Sequence, residues 1–297
     1  MVKTEEPEPP GADRPPAIER SEPEKKNAKR SKSRPRRLAD GVIDKSVAIR
    51  LIPPIALQFG RSAIRRLNHD DSSQVASMKP FVHNVLGSHS QYQEDLIIDA
   101  IYQGKKQGFY VDIGANDPVE LNNTLRFYAR GWSGINIEPL PKRFQELQNH
   151  RPRDINLNLA VGPIDGEMDF YAIDPDSLST LNAKTAQANL KRPGARLMTK
   201  SKIAVRRLET IFDQHLKDHS IDLMSLDVEG YESEVISSNN WSKYRPTLII
   251  IEIAFGGEHI IRLMERNSYV LVYNNSANGL FLDEMSDLLD AAQNMQP

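Results

Sequence analysis

The sequence predicts an α/β fold with a doubly wound, largely parallel sheet. Two observations carry that expectation. Five short runs rich in Ile, Val, Leu and Tyr are bounded by turn residues: "GFYVDIGA" (108–115), "GINIEP" (134–139), "INLNLAVG" (155–162), "IDLMSLDVEG" (221–230) and "TLIIIEIA" (247–254). Such runs read as buried strands. Stretches of helical character separate most of them: "NNTLRFYARG", "PKRFQELQNHR", "LETIFDQHLKDH", "YESEVISS" and "EHIIRLMERN". Strands alternating with helices imply a parallel sheet covered on both faces.

Two segments modify the pattern. After the third run, "GEMDFYAI" (166–173) alternates apolar and polar residues and predicts an added strand. A polar excursion over 174–202 follows, and order is expected to resume at "IAVRRLETIF". An insertion of that length is more often functional or mobile than inert. Near the end, "SYVLVYNNSANGLFLD" places two short strands around Asn-rich turn chemistry, an antiparallel hairpin that closes the sheet.

The 297 residues, 39% hydrophobic and 26% charged, suffice for one sizeable core. Pro, Glu, Lys, Arg and Ser crowd residues 1–40, which therefore read as a disordered tail. Within it, 25–37 carries eight Lys/Arg and no acid, so the rest of the chain is net acidic. Residues 41–87 read as a connector with short amphipathic helices broken at Pro53 and Pro54, 88–285 as the folded domain, and 286–297 as a tail. With no cysteine, disulfides, thiol nucleophiles and thiolate zinc sites are excluded. No apolar run of about 18 residues occurs and the first residues lack an apolar signal core, so the expected location is the cytoplasm.

Ligands of open α/β sheets bind beyond the carboxyl ends of the strands. There this chain places Asp112, Gly114 and Asn116 after the first strand, Glu138 after the second, Asp227 and Glu229 after the fourth, and Glu252 near the end of the fifth. Several carboxylates on one sheet edge are costly unless a ligand, a cation or hydrogen bonds compensate them. "DIGAND" has a single glycine, and the chain lacks both the dinucleotide spacing and the triphosphate loop. An acid at the second strand end suits an adenosine ribose, a lone glycine suits close backbone approach, and clustered acids suit a sulfonium. Together they point to S-adenosylmethionine.

The segments "SQYQEDLIIDAIY", "GFYVDIGANDPVELNNTLRFYARGWSGINIEP", "LNLAVG", "IDLMSLDVEGYESEVI" and "LIIIEI", in that order between Ser90 and Asp283, resemble the FkbM-type S-adenosylmethionine-dependent methyltransferases. The resemblance implies a Rossmann-like, seven-stranded class I methyltransferase sheet with a C-terminal antiparallel hairpin. It further implies that Asp112, Gly114 and Asn116 form the cofactor turn and that Glu138 binds the ribose. O-methylation of a hydroxyl on a sugar or related natural product is the reaction it suggests.

Methylating an alcohol requires that its proton leave during or after attack. Asp227 is the expected general base, or the holder of a divalent cation such as magnesium that acidifies the hydroxyl. Glu229 is the second candidate catalytic residue, and Glu252 joins Asp227 as a candidate metal ligand. As an alternative, Glu229 and Glu252 support the loop or cap the helix beginning at Tyr231. Asp112 has the alternative of a turn or cap acid. His215 and His219 have metal-ligand spacing but read as a solvated helix end, as does His259 at a helix start; Ser177, Ser179 and Thr180 are candidate substrate contacts. Trp132 and Tyr231 read as core or pocket-wall aromatics. The expected partner is a small-molecule or glycan hydroxyl acceptor. Rival readings are a nucleic-acid methyltransferase guided by the basic run, a non-catalytic adaptor of the same fold, and peripheral membrane contact through 47–67.

Overall fold

The computed structural model describes residues 87–289. The basic run, the tail and nearly all of the connector lie outside the described residues, as does the chain from 290 onward. In chain order the first elements are α1 (Glu94–Ile101), β1 (Phe109–Ile113), α2 (Leu125–Arg130), β2 (Ser133–Ile137), α3 (Pro141–His150), β3 (Ile155–Leu157) and β4 (Ala160–Val161). Next come β5 (Gly166–Asp174), a 3-10 turn (Asp176–Leu178), α4 (Ala183–Asn189), β6 (Arg196–Arg206) and α5 (Leu208–His215). The remainder are β7 (Leu223–Leu226), α6 (Glu232–Ser237), β8 (Leu248–Glu252), α7 (Gly257–Arg266), β9 (Tyr269–Asn274) and β10 (Asn278–Asp283).

Seven strands form the main sheet in the order β3-β2-β1-β7-β8-β10-β9. The first five are parallel, and β10 inserts antiparallel between β8 and β9. β1 is buried along its whole length because both of its faces are covered. Phe109, Val111 and Ile113 join one apolar cluster with Leu208, Ile211 and Phe212 of α5, Val235 and Ile236 of α6, and Ile260 and Met264 of α7. Tyr110 joins the opposite cluster with Ile97, Ile98 and Ile101 of α1, Phe127 of α2 and Trp132. Burying each such side chain contributes about 1.5–3 kcal/mol, which makes this sandwich the main source of stability.

Three expectations need correction. The run 155–162 is not one strand: β3 stays in the main sheet, while β4 pairs with β6 in a second sheet of order β4-β6-β5. The break falls at Asn158, whose side-chain amide donates to the carbonyls of Glu138 (2.9 Å) and Pro139 (3.1 Å) and so turns the chain toward the second sheet. The excursion 174–202 is also more ordered than its composition suggests. α4 lies within it, and β6 already starts at Arg196, pairing along the length of β5. Last, α1 has no counterpart among the helical stretches read from periodicity, and it supplies three buried isoleucines to the core.

Candidate active site

Between β1 and β7 the strand order reverses direction, so the carboxyl ends of these two strands diverge and leave a crevice. A cleft of about 600 Å3 occupies this edge. All seven residues singled out from the strand ends line it: Asp112, Gly114, Asn116, Glu138, Asp227, Glu229 and Glu252. Ser177, Ser179, Thr180 and Tyr231 line it too.

Asp112 sits inside β1 rather than in a turn or at a helix cap. It is almost wholly buried, and its Oδ2 accepts from the Thr124 hydroxyl at 2.7 Å. Burial raises its pKa, while the bonds from Thr124 and Ser225 and the charge of Arg151 oppose that rise. Gly114 has φ +77°, and a Cβ there would lie 1.8 Å from the Asp227 carbonyl oxygen. Only glycine meets both demands, so the two strand ends touch backbone to backbone at this point. The Gly114 amide donates to the Ile137 carbonyl at 2.9 Å, which ties the same turn to β2. Asn116, also at positive φ, donates its backbone N–H to Glu138 Oε2 at 2.9 Å.

Glu138 takes a second backbone bond, from the Leu140 amide to Oε1 at 2.7 Å. Each of its oxygens therefore carries one donor and keeps one lone pair available. Burial pushes its pKa up to about 7, against the pull of those two amides.

Below the loop, a buried arginine that the sequence reading passed over holds the architecture. Arg151, fully buried, donates to the Tyr110 hydroxyl, the Pro118 carbonyl and Asn122 Oδ1 at 3.0, 2.8 and 2.9 Å. Asn122 Oδ1 also accepts the Thr124 and Leu125 amides at the start of α2. The segment from Gly114 to Thr124 is thus braced from within.

At the β7 end, Asp227, Glu229 and Glu252 each bring a carboxylate oxygen within 4.8 Å of the others. Asp227 is exposed to the cleft, with protein atoms packed closely around it. All three pKa values are raised, by burial first; for Asp227 the charge of Asp112 adds to this, and for Glu229 and Glu252 that of Asp227 does. Glu252 Oε2 is buried and has no hydrogen-bond partner among the described residues. Three carboxylates this close cannot all ionise at little cost, so the group is poised to share a proton or to face a cation.

The loop-supporting role weighed as an alternative for Glu229 is taken by Glu232. Glu232 Oε1 accepts the amides of Val228 (3.2 Å) and Gly230 (3.1 Å) and shapes the turn. Glu229 has φ +52°, a conformation that turn imposes. Thr180 and Asn182 fasten the excursion to the same turn by donating to the carbonyls of Glu229 and Gly230, each at 2.9 Å. The Ser179 hydroxyl is occupied with the Ile173 backbone, so of the three hydroxyls considered only Ser177 is left unengaged among the described residues. Trp132 is core, fully buried. None of His150, His215, His219 and His259 lines the cleft, and His219 stacks on Phe109 at 4.5 Å.

A sheet of this order, with a glycine turn after its first strand and an acid closing its second, defines a Rossmann-like methyltransferase fold. The family model of the methyltransferase FkbM domain matches residues 112–271, more than half of the chain, and the protein belongs to that family. It carries a methyltransferase domain. No curated protein matches the chain. Among the described residues, no helix is long and apolar enough to cross a membrane.

Proposed function

We propose that the protein is an S-adenosylmethionine-dependent O-methyltransferase acting in the cytoplasm on a hydroxyl of a carbohydrate or related natural product. The carboxylate cluster at the end of β7 carries this reading: it lies in the same cleft as the glycine turn and Glu138, and its pKa values are raised toward the range useful for moving a proton. The cofactor supplies an electrophilic methyl group on a sulfonium sulfur. Glu138, with one lone pair left on each oxygen, is suited to accept the two ribose hydroxyls, and the Gly114 turn lines the same cleft, where the amino-acid portion would lie. Asp227 accepts the proton that the acceptor hydroxyl loses as its oxygen bonds to carbon. Of the three, Asp227 ionises first, its pKa pushed up to about 6 while those of Glu229 and Glu252 are pushed higher, so Asp227 is the carboxylate free to take up a proton. Tyr92, half exposed at the cleft, together with Tyr231 and Phe255, offers flat apolar faces of the kind that sugar rings pack against.

The spacing within the cluster also favours a second reading. One oxygen from each of Asp227, Glu229 and Glu252 is close enough to share a divalent cation of the magnesium type, which would acidify the acceptor hydroxyl. Loss of turnover on chelation, restored by magnesium, would select that reading; turnover indifferent to chelator selects the carboxylate base.

Calorimetric titration with S-adenosylmethionine and S-adenosylhomocysteine tests the cofactor assignment. Glu138→Gln is expected to weaken both by about 1–3 kcal/mol, the cost of losing a charged hydrogen-bond acceptor. Absence of binding to the wild type would remove the enzyme reading and favour an adaptor of the same fold. A pH series adds an independent check. Glu138 is half protonated near pH 7 in the free protein, and accepting two hydroxyls favours its ionised form, so binding below that pH must release a proton. Affinity for S-adenosylhomocysteine should therefore fall by up to about tenfold per pH unit below 7 and level off above it. The Glu138→Gln curve should lose this slope.

A further inference from the structure

Two arginines line the cleft, and they differ in what holds them. Arg143 is ion-paired with three acids: Nη1 donates to Asp117 Oδ2 (2.6 Å) and Glu146 Oε2 (2.7 Å), and Nε to Asp176 Oδ2 (2.5 Å). Arg192 is exposed in the turn between α4 and β6, and among the described residues its guanidinium makes neither an ion pair nor a hydrogen bond. It nonetheless faces the carboxylate cluster closely enough to lower the pKa of Glu229 and Glu252 without joining either.

The backbone that carries Arg192 is anchored. Its amide donates to the Asn189 carbonyl at 2.9 Å, and Asn189, fully buried, donates its side-chain amide to the Leu178 carbonyl at 3.0 Å. Asn182 caps α4 by accepting the Lys184 and Thr185 amides, and the same residue fastens the segment to Gly230. Among the described residues the fold therefore holds one unspent cation at a cleft whose other charged groups are acids or an arginine already neutralised.

Resting on the methyl-transfer reading above, we propose that the acceptor carries an anionic oxygen group, a carboxylate or a phosphoryl, and that Arg192 receives it. A guanidinium presents paired N–H donors that match such a group in two hydrogen bonds. The cluster works from the other side: the negative charge shared among Asp227, Glu229 and Glu252 repels the anion, so the acceptor enters with its charge at Arg192 and its hydroxyl toward Asp227. Attraction at one end and repulsion at the other select acidic acceptors and fix their direction, whereas a neutral polyol is oriented by neither.

The test uses the full chain saturated with S-adenosylhomocysteine and inorganic phosphate as the probe, read by phosphorus NMR line broadening. Wild type is compared with Arg192→Ala; the basic run 25–37 is common to both proteins, so only the difference between them is read. Phosphate should bind the variant about fivefold or more weakly, with S-adenosylhomocysteine affinity unchanged. Equal phosphate binding by the two proteins overturns the proposal. Failure of the wild type to bind S-adenosylhomocysteine, seen before phosphate is added, overturns the methyl-transfer reading and this proposal together. Methyl transfer to glucuronate, glucose 6-phosphate and glucose then separates carboxylate from phosphoryl recognition. Transfer to glucose as efficient as to both acidic sugars, and unchanged in Arg192→Ala, would also overturn it.

Discussion

Asp227→Asn should lower methyl-transfer turnover by about 10²–10⁴-fold, the range expected when a general base is removed from its position. The substitution keeps the shape of the side chain, so the contact of the Asp227 carbonyl with the Gly114 turn persists. Affinity for neutral S-adenosylhomocysteine should stay within a few-fold, whereas that for the sulfonium form should drop more, because the carboxylate of the cluster that ionises first is lost. The pH profile supplies the sign. Asp227 must be ionised to accept a proton and its pKa is raised, so wild-type turnover should climb with pH along a limb displaced above the ordinary carboxylate range. That limb should vanish in the variant. Undiminished turnover would mean that solvent takes the proton and that the cluster serves only as charge beside the sulfonium.

Gly114→Ala is the structural counterpart, with an expected loss of about 4 kcal/mol or more in denaturant unfolding, at the severe end for a single methyl. Its two causes can be separated. Positive φ alone costs an alanine about 1–2 kcal/mol, and Gly131→Ala measures that part, since Gly131 also has positive φ but no atom near its would-be Cβ. The excess at Gly114 reports the backbone of β1 pressed against that of β7, where the methyl would meet the Asp227 carbonyl oxygen. The surviving folded fraction should bind S-adenosylhomocysteine poorly, because relieving the clash moves the turn that also carries Asn116 against Glu138. Equal costs at the two glycines would contradict the close approach on which the cleft depends.

These two variants lie where sequence and tertiary structure contribute differently. Alternation of apolar runs with amphipathic ones was enough to place β1, β2, β7 and β8, because each fully buried strand needs both faces apolar and says so locally. The acids at their ends were legible for the same reason: a charge at the close of an apolar run is conspicuous wherever the chain goes next. The split at Asn158 was not legible, since both halves of 155–162 have strand composition and only the pull of the Glu138 and Pro139 carbonyls separates them. β6 was partly hidden because most of it is exposed and its middle, Thr199–Lys202, is polar, and its strand conformation is imposed by pairing with β5.

The site divides along the same line. Which carboxylates and which glycine stand at the strand ends is a property of the sequence alone. That Asp227, Glu229 and Glu252 converge within 4.8 Å, that Glu232 rather than Glu229 shapes the turn, and that Arg143 is neutralised while Arg192 is not, were decided by tertiary structure. Local periodicity specifies an element, but sheet register and the anchoring of one loop on another bring together side chains distant in sequence, and only that convergence sets their ionisation and their partners.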